Sequence, residues 1–357
     1  MGKIDNRFCL LYTFCMMNIK DNRMKKCVAL LLALVLLGIA GCSGDDSTVR
    51  IACFPNVTHT QALLGRIDET FQARFGEETQ VEWYTFNAGP SEVEALFAGN
   101  IDIGYIGPIP AINAYVRSRG DVSIIAGVTN GGSVLVTRPD LVLEDVSDLD
   151  GLVVSVPQYN NTQDIILRAL LSEAGLAPKS EGGTVDIVAS ENSNTKLLLD
   201  TGEIDAAIVP EPWGSRLIDE VGANILLDYD EIYDGNYTVA VVIVSNDFLK
   251  VNREVVKDFL REHVALTLQA NEQLEQSAAR ANQCIEQLTG SSLADEVVQQ
   301  AYSRMTITYD PEKESLEQFI DICTELGTIS EEVDVDELVD LSLLNEVLEE
   351  MGLSTIE

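Results

Sequence analysis

Positive charge is scarce in this chain. The sequence carries 23 Lys and Arg against 58 Asp and Glu, a formal net charge of −35. The first 41 residues hold six of those cations and only two of the acids, so the remainder stands at −39. A field of that sign repels nucleic acid and anionic lipid headgroups. The acids read as a solvated surface, and any anionic ligand must be captured by local dipoles against the global field. Histidine is scarcer still, with two in 357 residues. Neither belongs to a His-x-x-x-His spacing and no Cys-x-x-Cys occurs, so no metal or other cofactor is expected. His59 is the only base near a turn, without a Gly-x-Ser-x-Gly elbow or a Walker-type loop for company, and catalysis finds no positive support. His263 falls on the apolar side of a helical stretch and reads as a packing residue.

Past residue 42 cysteine is thin as well, with only Cys53, Cys284 and Cys323 remaining. Cys53 lies in an apolar run and reads as a small buried side chain. Cys284 and Cys323 are available to pair outside the cytoplasm, although nothing in their spacing demands it. The apolar run at 28–40 has 13 residues, about 20 Å as a helix against a hydrocarbon core of ~30 Å, which suits a signal peptide better than a membrane span. Lys25 and Lys26 precede it, and Ile39-Ala40-Gly41-Cys42 closes it. That ending resembles the lipobox of bacterial lipoprotein precursors, which implies cleavage before Cys42 and a lipid on its thiol. Residues 1–23 have the character of neither a signal n-region nor a domain, pointing to Met24 as the start. Residues 43–48, small and acidic, read as a tether.

What the remaining sequence does have is alternation. Strand signals at 49–54, 81–85, 101–105, 122–128, 152–156, 184–188, 206–209 and 239–245 are separated mostly by helical ones, the pattern of an α/β fold with a largely parallel sheet. Two segments nearly repeat: Gly99-Asn100-Ile101-Asp102 running to Gly107-Pro108, and Gly202-Glu203-Ile204-Asp205 running to Pro210-Glu211-Pro212. Each places a Gly suited to a helix C′ position before a short apolar strand and a Pro-marked turn. A strand-like Val134-Leu135-Val136 and an acidic stretch mark a break near 134–150. From Phe248 onward no strand is expected, and the helical tail must pack back on the first part of the chain to bury its apolar stripe.

Six turns follow apolar strands: at 55–61, 87–91, 107–108, 129–133, 157–164 and 210–213. Free amides at helix starts attract anions, each worth ~0.3–1 kcal/mol when exposed and up to ~2 when partly buried. Several converging on one point would hold a sulfonate, nitrate or carboxylate without any Arg. Trp213 and Glu211 admit two readings each. The indole either walls a pocket or belongs to the core, and the carboxylate either accepts from a ligand amine or caps its own helix. Tyr105, Tyr159 and Tyr237 are equally open between pocket and core.

The segments Phe54-Pro55-Asn56-Val57-Thr58-His59, Phe86-Asn87-Ala88-Gly89-Pro90-Ser91, Asp102-Ile103-Gly104-Tyr105-Ile106-Gly107-Pro108, Asn161-Thr162-Gln163-Asp164 and Val209-Pro210-Glu211-Pro212-Trp213 resemble the solute-binding proteins of nitrate/sulfonate/taurine-type ABC importers. The resemblance implies a two-lobed periplasmic-binding fold of the second topological type with a helical C-terminal segment. It implies lobe 1 at 49–137 and 239–357, lobe 2 at 138–238, and hinge closure on a small organic anion. Partners would be an ABC permease with its ATPase, and the membrane through the lipid on Cys42. Carried over by motif, the ligand-binding residues are Asn56, Thr58, His59, Gly89, Ser91, Gly107, Asn161, Thr162, Glu211 and Trp213. No cationic side chain stands near these turns, which favours an organic sulfonate over nitrate or bicarbonate. On this reading the first repeat anchors the anionic head and the second selects the rest, so Glu211→Gln should change ligand preference more than Gly107→Ala does. The alternative is an enzyme on the same fold, of thiamine-pyrimidine or menaquinone-pathway type, against which the lipobox discriminates because those chemistries belong inside the cell.

Overall fold

The computed structural model describes residues 47–357, and the signal peptide, lipobox and Cys42 lie outside the described residues. Thr48–Glu357 form one compact unit. The chain first lays down β1 (Ser47–Cys53), α1 (Thr60–Ile67), α2 (Thr70–Phe75), β2 (Thr79–Thr85), α3 (Gly89–Phe97), β3 (Ile103–Ile106), α4 (Pro108–Ser118) and β4 (Val122–Gly131). It crosses to a second sheet with β5 (Ser133–Thr137), β6 (Val153–Val156), α5 (Thr162–Glu173), β7 (Asp186–Ala189), α6 (Asn192–Thr201), β8 (Ala206–Pro210), α7 (Trp213–Val221) and β9 (Asn224–Leu227). It returns with β10 (Thr238–Ser245), then α8 (Asn246–Val251), α9 (Arg253–Glu272), α10 (Leu274–Thr289), α11 (Asp295–Ser303), β11 (Met305–Ile307), α12 (Lys313–Glu325), α13 (Val335–Leu338) and α14 (Ser342–Glu350).

The two sheets share one plan. Their orders are β11-β4-β10-β3-β1-β2 and β7-β6-β8-β5-β9. In each, a parallel pair (β1 with β3, β6 with β8) is followed by an antiparallel strand from the other half of the chain: β10 beside β3 in the first, β5 beside β8 in the second. This exchange makes two crossings between the lobes. The first is Gly131-Gly132, with φ of +72° and +82°, values that favour glycine. The second, 228–237, ends at the buried Tyr237, whose carbonyl accepts from Gly131 N (2.8 Å) and whose hydroxyl accepts from Ser133 N (3.0 Å). Because β5 pairs in the second sheet, the change of sheet falls before Ser133 and not at the expected residue 138. The Val134-Leu135-Val136 run advertises a strand but not which sheet will take it.

The tail packs back as its apolar stripe requires. Val256, Phe259, Leu260, His263, Val264 and Thr267 are buried on α9, which lies against α1, α2 and α14. His263 is a satisfied core residue, 3.1 Å from the Tyr105 hydroxyl and 2.9 Å from the Gly127 carbonyl oxygen. The expectation of no strand past Phe248 fails at β11. Its three residues pair along β4 opposite Gly131, Asn130 and Thr129, an edge position that needs no local apolar run. Cys53, Cys284 and Cys323 are buried free thiols.

Candidate functional site

The repeat is an architectural device. After α3 and after α6 the chain turns at Gly99 (φ +69°) and Gly202 (φ +71°), glycines in the left-handed region. Asp102 and Asp205 then each grip one residue of the neighbouring parallel strand by both of its main-chain groups. Asp102 N donates to Arg50 O (2.9 Å) while its carboxylate accepts from Arg50 N (2.8 Å). Asp205 N donates to Val153 O (2.9 Å) while its carboxylate accepts from Val153 N (2.9 Å). An arginine completes each grip, Arg50 at 2.7 Å and Arg138 at 3.2 Å. The result holds β3 beside β1 and β8 beside β6, so that the turns after them face one another.

Between the lobes these turns enclose a narrow cavity at the carboxyl ends of the strands, the position where α/β sheets bind ligands. Asn56, Thr58 and His59 come from the β1–α1 turn, Asn87 and Gly89 from β2–α3, and Gly107 from β3–α4. The second lobe answers with Pro157, Asn161, Thr162 and Gln163 from β6–α5, Asn192 from β7–α6, and Pro210. Several helices of eight or more residues start here: α1 after His59, α3 after Ala88, α4 after Gly107, α5 after Asn161 and α6 after Glu191. Pro90, Pro108 and Pro110 have no N–H and Asn192 N is taken by Asn87 Oδ1, while the other first amides lack intrahelical acceptors and the dipoles present partial positive charge.

Among the described residues no Lys, Arg, Asp or Glu lines the cavity. His59 does not supply a cation either, because burial lowers its pKa to about 3. Phe54 N donates to His59 Nδ1 (3.2 Å), so the ring is neutral with its proton on Nε2. Thr162 Oγ1 and Asn192 Oδ1 are buried without partners among the described residues. Asn161 is spent on structure: its Oδ1 caps α5 by accepting from Asp164 N (2.9 Å), and its Nδ2 donates to Gln163 Oε1 (3.0 Å). Among the described residues no group of three or more His, Cys, Asp or Glu is placed to hold a metal ion. The site is dipolar and uncharged, with spare donors and one spare acceptor.

A family model described as "NMT1-like family" matches residues 43–285. The chain belongs to the NMT1-like family. The taurine-binding periplasmic protein of Escherichia coli K12 is 29% identical over 64% of this chain and 69% of its own length. The alkanesulfonate-binding protein of Xanthomonas axonopodis pv. citri, solved with MOPS bound, superposes with a TM-score of 0.69 at 19% identity, covering 84% of this chain and 99% of that one. The periplasmic aliphatic sulphonate binding protein of Escherichia coli gives 0.65 at 21% identity, over 82% and 92%. The architecture is therefore the two-lobed periplasmic-binding fold, and the chain is a substrate-binding member of its family, not an enzyme.

Within this NMT1-like chain the residues expected to bind ligand divide. Asn56, Thr58, His59, Gly89, Gly107, Asn161 and Thr162 line the cavity. Ser91, Glu211 and Trp213 do not. Ser91 is the third residue of α3, its hydroxyl donating to Gln158 Oε1 (3.0 Å) across the cleft. Glu211 is fully buried and turned into its own helix, accepting from Ser215 N (3.0 Å) and from the Ser215 hydroxyl (2.9 Å), with Arg304 at 3.5 Å. Burial pushes its carboxyl up to about 7. Of the two readings open for Glu211, the helix cap is the observed one. Trp213 is buried too, its Nε1 donating to Asn56 Oδ1 (2.8 Å) and its ring lying under Arg216. The turn at 129–133 is the first crossing between lobes and stays out of the lining. Tyr105 and Tyr237 are core, and Tyr159 is exposed.

Asn192 is the residue the sequence reading passed over. Its turn, Ala189-Ser190-Glu191-Asn192, has the same strand, polar turn and helix start as the others. That construction was the available signal. Asn87 joins the site only through contacts made far along the chain, with Pro157 and Asn192, whereas Gln163 meets both nearby Asn161 and distant Ser133.

Proposed function

We propose that this protein is the lipid-anchored, extracytoplasmic binding component of an ABC importer, that it captures a small organic sulfonate by closing its lobes, and that it hands the ligand to a permease with its ATPase. One observation carries the reading: several helix starts converge on a cavity that no charged side chain lines among the described residues, and there Thr162 Oγ1 is buried without a partner. A sulfonate is a monoanion at every physiological pH and offers three acceptor oxygens to such donors. Phe54, Pro110, Pro157, Pro210 and Val239 supply apolar lining for a short tail. Relatives named for taurine and alkanesulfonates support the same class. The anchor rests on the lipobox at Cys42 and the location on the periplasmic relatives. An amine on the ligand would not meet Glu211, whose oxygens are engaged in capping α7.

The test is a thermal-shift and calorimetry screen of residues 43–357, which carry the whole compact unit, against methane-, ethane- and butanesulfonate, taurine, nitrate and phosphonates. A true ligand at ~100 times its dissociation constant adds ~2.7 kcal/mol to stability. A protein stabilised by none of the sulfonates would refute the assignment.

A further inference from the structure

Two of the polar contacts that cross the cleft join residues of one lobe to residues of the other without a charge in either. Asn87, at the end of β2, spends both ends of its side-chain amide on the second lobe. Its Nδ2 donates to Pro157 O (3.2 Å), and its Oδ1 accepts from Asn192 N (3.2 Å), the first amide of α6. Pro157 and Asn192 lie on separate chain segments of the second lobe, and Asn87 of the first meets both. At the other contact, Trp213 Nε1 donates to Asn56 Oδ1 (2.8 Å), with both residues buried. The indole is absent from the cavity lining, so its hydrogen bond joins lobe to lobe through Asn56, which itself lines the cavity.

We propose that Asn87 and the Trp213–Asn56 pair are closure clamps: positioning residues that set how long the lobes stay shut, and hence how slowly ligand leaves, while the helix starts do the anchoring. The proposal rests on lobe closure as the mode of capture. Both clamps bond at the cavity rim through groups that would be buried and unsatisfied if the partner were cut away. Breaking either one therefore disfavours the closed form specifically. Neither clamp carries charge, so the part of closure that the clamps supply should be insensitive to salt, unlike the Arg304–Glu211 contact. Clamping after entry acts on release and not on encounter.

The experiment compares wild type with Trp213→Phe, which keeps the ring and deletes the donor, and with Asn87→Ala, which sits in a half-buried turn. Small-angle scattering of residues 43–357 reads lobe separation with no ligand and with ethanesulfonate, and stopped-flow mixing reads release of ethanesulfonate. Each variant is expected to show a larger radius of gyration than wild type and about tenfold faster release, with the association rate within threefold of wild type. Unchanged scattering and unchanged release in both variants would overturn the clamps. A slower association rate with unchanged release would overturn them too, because the residues would then act on entry. If ethanesulfonate does not bind wild type, the ligand assignment fails, and the scattering of the unliganded variants still decides the clamps.

Discussion

The turns after β3 and β8 start from one device and finish differently. In both, a left-handed glycine ends a helix and an aspartate grips the adjacent parallel strand by its amide and carbonyl. Beyond that point the first turn is bare backbone, and Gly107 comes so close to Thr162 of the other lobe that a methyl group on it would collide with the threonine hydroxyl. The second turn carries a carboxylate and an indole, and both are directed away from the cavity, one to cap α7 and the other to meet Asn56. Chemistry-bearing side chains are thus a poor guide to which turn meets a ligand. Close approach of backbone is the better one, since amides at a helix start supply the charge complement once nothing stands in the way.

The comparison breaks most sharply at Gly107. Its φ of −70° is ordinary for any residue, so Gly107→Ala adds no backbone strain and only its methyl matters. Overpacking a closed contact costs about 1–3 kcal/mol, which at the lobe boundary appears as a loss in affinity of up to ~100-fold. Calorimetry with ethanesulfonate should show that loss, while the unfolding temperature without ligand stays near wild type. A change below threefold would mean that Gly107 and Thr162 do not meet in the bound form. This reverses the ranking expected from the side chains alone, in which Glu211 outweighed Gly107.

The shared half of the two turns is tested by Asp102→Asn and Asp205→Asn. Each weakens charge-assisted hydrogen bonds to a main-chain amide and an arginine, for a loss of about 2 kcal/mol in urea denaturation. Asp102 should cost the more, because Arg50 reaches it through both Nε (2.9 Å) and a terminal nitrogen (2.7 Å), whereas Arg138 makes one contact with Asp205 at 3.2 Å. Ligand affinity should move less than threefold in either. A costless Asp205→Asn would show that the two copies do not share a mechanism.

Which parts of this were legible in the sequence follows from how local each signal is. The run beginning at Val122 reads as a strand because its own residues are apolar, and the capping of α5 by Asn161 is settled within three residues. β9 offers only the three apolar residues Ile225-Leu226-Leu227, one of them buried, and β11 has no apolar run at all, so both exist through their partners in the sheet. The orientation of Glu211 is decided by Ser215 nearby but also by Arg304, which arrives at the end of α11. Asn87 likewise contacts Pro157 and Asn192, neither of them near it in the chain. A turn's capacity to cap a helix is therefore readable, whereas the direction its side chains take depends on segments that sequence alone does not bring together.

The smallest effect on the ligand is expected at Glu211→Gln, and its signature lies in stability. Burial raises this carboxyl from 4.5 to about 7, with Ser215 and Arg304 opposing the rise. The folded state thus binds the proton more tightly than the unfolded chain does. Its contribution to stability is complete below about pH 4.5 and is lost as pH climbs through about 7. Gln cannot titrate and is indifferent to this window. The unfolding temperature of the variant relative to wild type should therefore rise between pH 5 and pH 8, measured by calorimetry on unliganded protein. Because Glu211 caps α7 and does not face the cavity, the ratio of affinities for ethanesulfonate and taurine should change less than twofold. A changed ratio with a flat pH difference would put the carboxylate on the ligand after all, and the second turn would then be a binding turn like the first.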